Sequence, residues 1–296
     1  FWFGDYLPET TKRFKKDLFE LRPEDLEEYD TVIFLAGLSN DPMAEYSPAL
    51  NFIHNAAGPA HLAYVAKTAG IKRFIYASSC SVYGWVGIDG ESSETDPAKS
   101  MYPYGISKLQ GEIAVRELDD ENFSVISLRQ GTVCGWSPRM RFDLVINAMY
   151  KNALTNGTIT VDNPKIWRPI LSITDAVEAY EKAIVADQGI HGIFNVSSGN
   201  YTIGEIGERM ASYLKEAYGQ SIELEINDKP SFRNYRVSTK KAEDVLGVTF
   251  RGSVTSIIDD LHQHLGENLA DADDDRYYNI KTFTKLVNEN GLLKLK

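Results

Sequence analysis

Ser78-Ser79-Cys80-Ser81-Val82-Tyr83-Gly84, followed by Tyr102-Pro103-Tyr104-Gly105-Ile106-Ser107-Lys108, decides how this chain is read. The first block ends an apolar run, Arg73-Phe74-Ile75-Tyr76-Ala77, that has the length and composition of a buried strand. The second opens a segment, Gly105 to Leu118, with helical spacing of apolar and charged residues. Tyr104 and Lys108 stand four apart, so on a helix they share one face. An ammonium beside a phenol favours the phenolate, which turns an inert tyrosine into a usable base. A serine hydroxyl from the strand end can then hold a substrate oxygen against that phenol.

A tyrosine and a lysine at this spacing also occur on ordinary solvated helices, so the pair carries weight only in context. Here a strand ends where the serines begin, and the serine block precedes the pair at loop distance. Together these motifs resemble the Ser–Tyr–Lys machinery of the extended short-chain dehydrogenase/reductase family, in particular its NAD-dependent epimerase/dehydratase branch. The resemblance runs from about Phe1 to Leu265. It implies an α/β fold: a Rossmann-type doubly wound parallel sheet with a smaller C-terminal substrate-binding lobe.

Composition agrees with such an enzyme. A chain of 296 residues, 43% hydrophobic and 25% charged, has room for one two-lobed unit. A net charge of −11 argues against nucleic acid or an anionic membrane as the main partner. There are two cysteines, Cys80 and Cys134, and one lies in the serine block, which points to reduced thiols and a cytoplasmic protein. No apolar run reaches membrane-spanning length.

The family opens with a strand and a glycine-rich turn that holds the cofactor pyrophosphate. No G-x-G-x-x-G or G-x-x-G-x-x-G opens a βα unit here, and Phe1-Trp2-Phe3-Gly4-Asp5-Tyr6-Leu7 resembles the segment after the second strand. The expectation is that the sequence starts beyond that turn, so the residue that distinguishes NAD from NADP would precede Phe1. Arg13-Phe14-Lys15-Lys16-Asp17-Leu18 reads as a short strand. Asp17 and Leu18 match the family's adenine-side position, while an N-cap is an equal alternative for Asp17. Asp30 to Gly37 reads as the next strand, and Leu35, Ala36 and Gly37 form a small-residue turn over which the family's cofactor passes.

Pro48 to Ala69 has the pattern of one long helix. Its Asn55 and Gly58 match the family's N-x-x-G, and the resemblance implies that this helix pairs with the Tyr–Lys helix across a homodimer axis. His54 and His61 have no visible ligand partner and are expected at the surface or an interface. Phe123 to Arg129 reads as a buried strand, and Gln130 and Thr132 beyond it fall where the family places nicotinamide and substrate. Ile166 to Asp175 resembles a strand that crosses back to the main sheet, with Asp175 capping a helix over Ala176 to Ala186. Arg168, Arg233 and Arg236 are candidates for a substrate diphosphate, a bidentate task suited to guanidinium. A structural tie between lobes for Arg168, and a surface charge pair for Arg233 and Arg236, remain alternatives. The tail beyond Leu265 carries no legible signal.

The resemblance implies NAD as cofactor and a nucleotide sugar as substrate. Ser79, Tyr104 and Lys108 are the catalytic set. Asp17, Leu18, Leu35, Ala36, Gly37, Asn55, Ser78, Tyr104, Lys108 and Gln130 are expected at the cofactor. Ser79, Cys80, Ser81, Thr132, Arg168, Arg233 and Arg236 are expected at the substrate. Residues 1–131, with 166–188 returning, would form the cofactor domain, and 132–165 and 189–296 the substrate lobe. The family's 4,6-dehydratases place Asp-Glu after the active-site hydroxyl residue; Cys80-Ser81 stands here and cannot move protons as carboxylates do. Epimerisation through a keto intermediate is therefore favoured, with keto-sugar reduction second and a non-catalytic nucleotide-sugar binder third.

Overall fold

The computed structural model of the chain describes residues 16–85, 87, 90–229, 233–266, 269 and 271–290. The strands are β1 (Thr31–Phe34), β2 (Arg73–Ser79), β3 (Ser124–Gln130), β4 (Thr132–Cys134), β5 (Thr158–Asp162), β6 (Trp167–Ser172), β7 (Gly192–Val196), β8 (Gly199–Thr202) and β9 (Glu223–Asn227). The helices of the first half are α1 (Asp41–Tyr46), α2 (Pro48–Phe52), α3 (Gly58–Thr68) and α4 (Pro103–Arg116). Those of the second half are α5 (Val145–Asn156), α6 (Ile173–Val185), α7 (Ile203–Tyr218), α8 (Val254–Leu265) and α9 (Asn279–Asn290).

The central sheet is parallel throughout, in the order β1-β2-β3-β7. Parallel strands need covered faces, and alternation along β2 supplies both. Phe74 and Tyr76 pack beneath Leu62, Ala66 and Val115. Ile75 faces the other way, with Ile126, Leu128, Ala179, Ala183 and Phe194. The smaller lobe has its own core, in which Ile146, Tyr150, Ile159, Ile206, Met210 and Ile258 are buried. It carries a three-stranded sheet, β4-β6-β8, and the parallel pair β5-β9.

Several expectations change. Arg13 to Lys15 and Phe1 to Leu7 lie outside the described residues, and Leu18–Glu20 is a 3-10 turn rather than the end of a strand. Asp17 caps that turn, accepting from Phe19 N at 2.9 Å. The strand over 167–172 joins β4 and β8 in the small sheet, while the helix after it packs on the main sheet. Ser172, not Asp175, caps α6, through Oγ to Asp175 N at 3.1 Å. Asp175 instead accepts from the amides of Arg251 and Gly252, 3.1 and 2.8 Å away. Residues 192–196 belong to the central sheet as β7, so the boundary at 189 cuts through the first lobe. The long helix over 48–69 is interrupted by a π-helical turn, Ile53–Ala57. Such turns push one backbone carbonyl out of the regular ladder; Asn55 O here accepts from Tyr76 Oη at 2.9 Å.

Helix α4 is bound to the sheet through a buried ion pair. Glu112 and Arg129 have side chains 1% and 4% exposed and meet through two contacts, 2.6 and 2.9 Å. Ser78 Oγ donates to the same carboxylate at 2.7 Å, and Arg129 donates to Tyr83 Oη at 2.8 Å. Removing one partner strands a buried charge, at a cost of about 3–5 kcal/mol. Glu112→Gln is therefore expected to lower the urea midpoint strongly. Lys240→Ala, which breaks the exposed pair with Asp244, should leave it in place; equal midpoints for the two variants would contradict this account of how α4 is held.

Candidate functional site

The sheet's C-terminal ends and the small lobe enclose a cavity of about 710 Å³. Ser78, Ser79 and Ser81 enter it from the end of β2, Tyr104 and Lys108 from α4, and Gln130 and Thr132 from the end of β3 and the start of β4. Arg168 and Arg233 approach from the small lobe. The motif blocks quoted first are thus brought to one place by the parallel sheet, as the rule for open α/β folds requires.

Tyr104 reaches the surface with part of its ring, while burial of its phenol end pushes the hydroxyl up to about 12. The Ser79 hydroxyl bonded to it and the Arg141 charge pull in the opposite direction. Lys108 is not among the strongest influences on Tyr104, contrary to the expectation that its ammonium tunes the phenol. Its Nζ is engaged elsewhere, donating to Ala77 O at 2.7 Å and lying 5.0 Å from the Tyr76 ring centroid. Burial pushes this amine down to about 7.

The turn after β1 forms the floor on the other side. Leu35, Ala36 and Gly37 line the cavity with exposed backbone. Gly37 has φ +113°, and a Cβ there would collide with Asn55 Oδ1, so only glycine fits. Asn55 itself is buried and does not line the cavity. Its Nδ2 donates to Leu38 O at 2.9 Å and Asn51 Oδ1 at 2.8 Å, so it supports the turn from beneath.

Four other expected site residues sit elsewhere. Cys80 is buried, its Sγ donating to Arg129 O at 3.1 Å, because the 3-10 turn Cys80–Tyr83 rotates it into the core. Arg236 stacks over Trp167 at 4.7 Å, away from the cavity lining. Asp17 and Leu18 also lie off the lining; Asp17 caps its turn and Leu18 packs against the α3 cluster. Arg168 does line the cavity, but one terminal nitrogen donates to Trp167 O and Arg233 O, at 2.7 and 2.6 Å. Burial lowers its pKa. His54 and His61 are half-buried, His61 with its ring 5.3 Å from that of Phe19.

The cavity also has walls with no sequence signal. Asn40, Asp41 and Pro42 line it from the start of α1, and Arg139, Arg141 and Asp143 from the entry to α5. Ile280 of α9 completes it, because α9 packs on α1 through Phe283, Val287, Leu38 and Met43. Asn279 Nδ2 donates to Ser39 Oγ at 2.6 Å in the same contact. The basic pair Arg139 and Arg141 is visible in the sequence; the return of the tail to this wall is not.

The lowered Lys108 pKa has a consequence for stability. The folded amine loses its proton near pH 7, while the unfolded one holds it to about 10.4. Between these values the unfolded chain binds the extra proton, so folding gains stability as pH rises, by up to about 1.4 kcal/mol per pH unit. Below pH 7 the full cost of burying the ammonium is present. Lys108→Met removes this slope. The melting temperature of the wild type minus that of the variant should therefore increase from pH 7 to pH 9.5 or so; a difference independent of pH would show that Lys108 is not buried as a depressed amine.

Residues 17–197 match the NAD dependent epimerase/dehydratase family. The dTDP-D-glucose 4,6-dehydratase of Homo sapiens is 27% identical over 251 residues, covering 81% of this chain and 68% of that protein. UDP-glucose 4-epimerase 1 of Oryza sativa subsp. japonica is 32% identical over 112 residues, covering 37% of this chain but only 31% of that protein. Among solved structures, MoeE5 in complex with UDP-glucuronic acid and NAD superposes with a TM-score of 0.73 at 24% identity, covering 86% of each chain. The exposed Leu35–Gly37 backbone and the Tyr104, Lys108 and Gln130 side chains fit the ribose and nicotinamide end of such a cofactor. The pyrophosphate end finds no glycine-rich turn among the described residues. With the family match spanning most of the chain, this Rossmann-type protein belongs to the NAD-dependent epimerase/dehydratase family, and NAD is its cofactor.

Proposed function

We propose that the chain catalyses NAD-dependent epimerisation of a nucleotide-activated sugar through a transient keto intermediate. The observation that carries this reading is the Ser79–Tyr104 hydrogen-bonded pair, set beside Lys108 in a cavity whose far wall holds Arg168 and Arg233. Bound NAD supplies the hydride acceptor, then the hydride donor, and a positive ring charge when oxidised. Tyr104 takes the proton from a sugar hydroxyl and later returns it to the keto oxygen. Ser79 holds that oxygen against the phenol throughout. A cationic charge in the cavity offsets the desolvation that keeps the phenol near 12, which is what a base role needs. Lys108 fixes the floor of the site through Ala77 O and retains N–H groups for ribose hydroxyls. Arg168 and Arg233 take the diphosphate side, where a planar fork suits phosphate oxygens.

A second reading, loss of water from the sugar, is favoured by one observation. Asp41 is a buried carboxyl on the cavity wall, and burial raises its pKa, with Arg233 opposing. It offers a proton carrier that the Cys80-Ser81 pair lacks. The two readings differ in product: isomers of equal mass for epimerisation, a keto sugar lighter by one water for elimination.

Dimerisation accompanies the proposal. Phe52 and Tyr64 on α2 and α3, and Ile106 and Ile113 on α4, expose apolar side chains on paired helices. Sedimentation as a monomer across the micromolar range would remove this element.

UDP- and dTDP-hexoses incubated with the protein and NAD should interconvert between isomers with no lasting change in nicotinamide absorbance. Stoichiometric NADH consumption with a keto sugar would establish a reductase instead. Tyr104→Phe should reduce kcat by about 10²–10⁴-fold with an unchanged melting profile; activity close to wild type would remove Tyr104 from its role.

A further inference from the structure

We infer that Asp41 is the residue that reads a sugar hydroxyl, so that the Asp41–Arg233 pair decides which sugar the cavity accepts. The inference rests on the nucleotide-sugar reading above and deepens it. Asp41 is 6% exposed and lines the cavity. One carboxylate oxygen, Oδ2, is bonded to Arg233 Nη1. The other, Oδ1, is buried with no hydrogen-bond partner among the described residues. The Tyr104 amide faces the carboxylate and favours its charged form, but without the geometry of a formed hydrogen bond to Oδ1.

Chain geometry holds the group there. Asn40 caps α1 by accepting from Met43 N at 3.1 Å, and its Nδ2 donates to Asp143 Oδ2 at 3.2 Å. Pro42 fixes the backbone immediately after Asp41. The carboxylate therefore cannot swing out to water without breaking the turn. A buried acceptor with one oxygen satisfied and the other open lacks a donor. The donor that fits is a hydroxyl: a phosphate has no proton to give near neutral pH, and a carboxylate would be repelled. Arg233 stacks over the Tyr102 ring at 5.3 Å, which fixes the orientation of its partner. Asp41 also acts electrostatically on Tyr104, which places it on the reacting side of the cavity. Its role is recognition of one ring hydroxyl, with the nucleotide left to the arginines.

The test measures binding by calorimetry in the presence of NAD, with UDP, dTDP, UDP-glucose and dTDP-glucose as probes. The wild type should bind each nucleotide sugar more tightly than its nucleotide diphosphate. Asp41→Ala should weaken the sugars by about tenfold to a hundredfold, the usual reach of a hydrogen bond to a charged group, and change UDP and dTDP by less than about twofold. Asp41→Asn keeps shape and a neutral acceptor, so it should fall between; it also serves if the alanine variant does not fold. Deoxy analogues of UDP-glucose supply the second arm. One hydroxyl, when removed, should cost the wild type tightness, and that cost should vanish in Asp41→Ala. If wild type and variant lose equally with every deoxy sugar, or the variant keeps its preference for sugar over nucleotide, Asp41 does not read the sugar and the nucleotide-sugar reading still stands. If the wild type prefers neither sugar over its nucleotide, both readings fall together.

Discussion

The Glu112–Arg129 pair is the constraint on which the site depends. Tyr104, Lys108 and Glu112 follow one another at four-residue spacing, so a single face of α4 carries the base, the amine and the anchor. The anchor end is fixed by Arg129 of β3 and Ser78 of β2, neighbours in the parallel sheet. Through Tyr83 and Asn195 the same network reaches β7, with Tyr83 Oη donating to Asn195 Oδ1 at 2.8 Å. Rotation of α4 would carry Tyr104 away from Ser79 and would also break a buried bidentate ion pair. A buried charge pair is poor evidence for stability, yet it discriminates strongly between one helix orientation and its neighbours. That is what a two-residue catalytic contact requires of its scaffold.

Burial sets the protonation of everything in the cavity. Tyr104 is pushed up to about 12, Lys108 down to about 7, and Asp41 above the usual carboxylate value, each with desolvation as the largest cause. All three shifts favour neutral groups, as a low-dielectric pocket demands. The picture from sequence, an ammonium charging its neighbouring phenol, assumed that the two groups face each other. The backbone carbonyl of Ala77 claims the lysine instead, at 2.7 Å. Lys108 thereby serves as a structural floor for the turn that bears Ser78 and Ser79, and any group that ionises Tyr104 must bring its own positive charge.

The parts legible in sequence are those fixed by local pattern. Strand 73–79, the helix from 103, the strand before Gln130 and the small-residue turn at Leu35–Gly37 follow from apolar runs and spacing, and they carry Ser79, Tyr104, Lys108 and Gly37 to one cavity. Residues whose placement depends on a half-turn of local twist were less legible. Cys80 sits between two cavity-lining serines, and the 3-10 turn alone decides that it points inward. Arg236, three residues after Arg233, follows an irregular segment whose register only the bridges at Asn234 and Val237 determine. Pairing across sequence distance was not legible at all: β6 joins the small sheet, β7 the large one, and α9 returns to cover α1.

These long-range returns explain why the substrate side of the cavity carries the chain's individuality. Its cofactor side is built from one continuous run, where the β-strand period and the helix period dictate which residues meet. Its substrate side is assembled from α1, the entry to α5, β6, the stretch at 233–235 and α9, five segments with no local reason to converge. The arginines there are committed to protein partners as well as to the cavity: Arg168 to two backbone carbonyls, Arg141 to Asp143, Arg233 to Asp41. Each is thus oriented before any ligand arrives, which lowers the entropy lost on binding. Pre-orientation of this kind suits a diphosphate, whose charge and shape vary little among nucleotide sugars. It leaves discrimination between sugars to a group with unspent capacity, and on this wall the open oxygen of Asp41 is such a group.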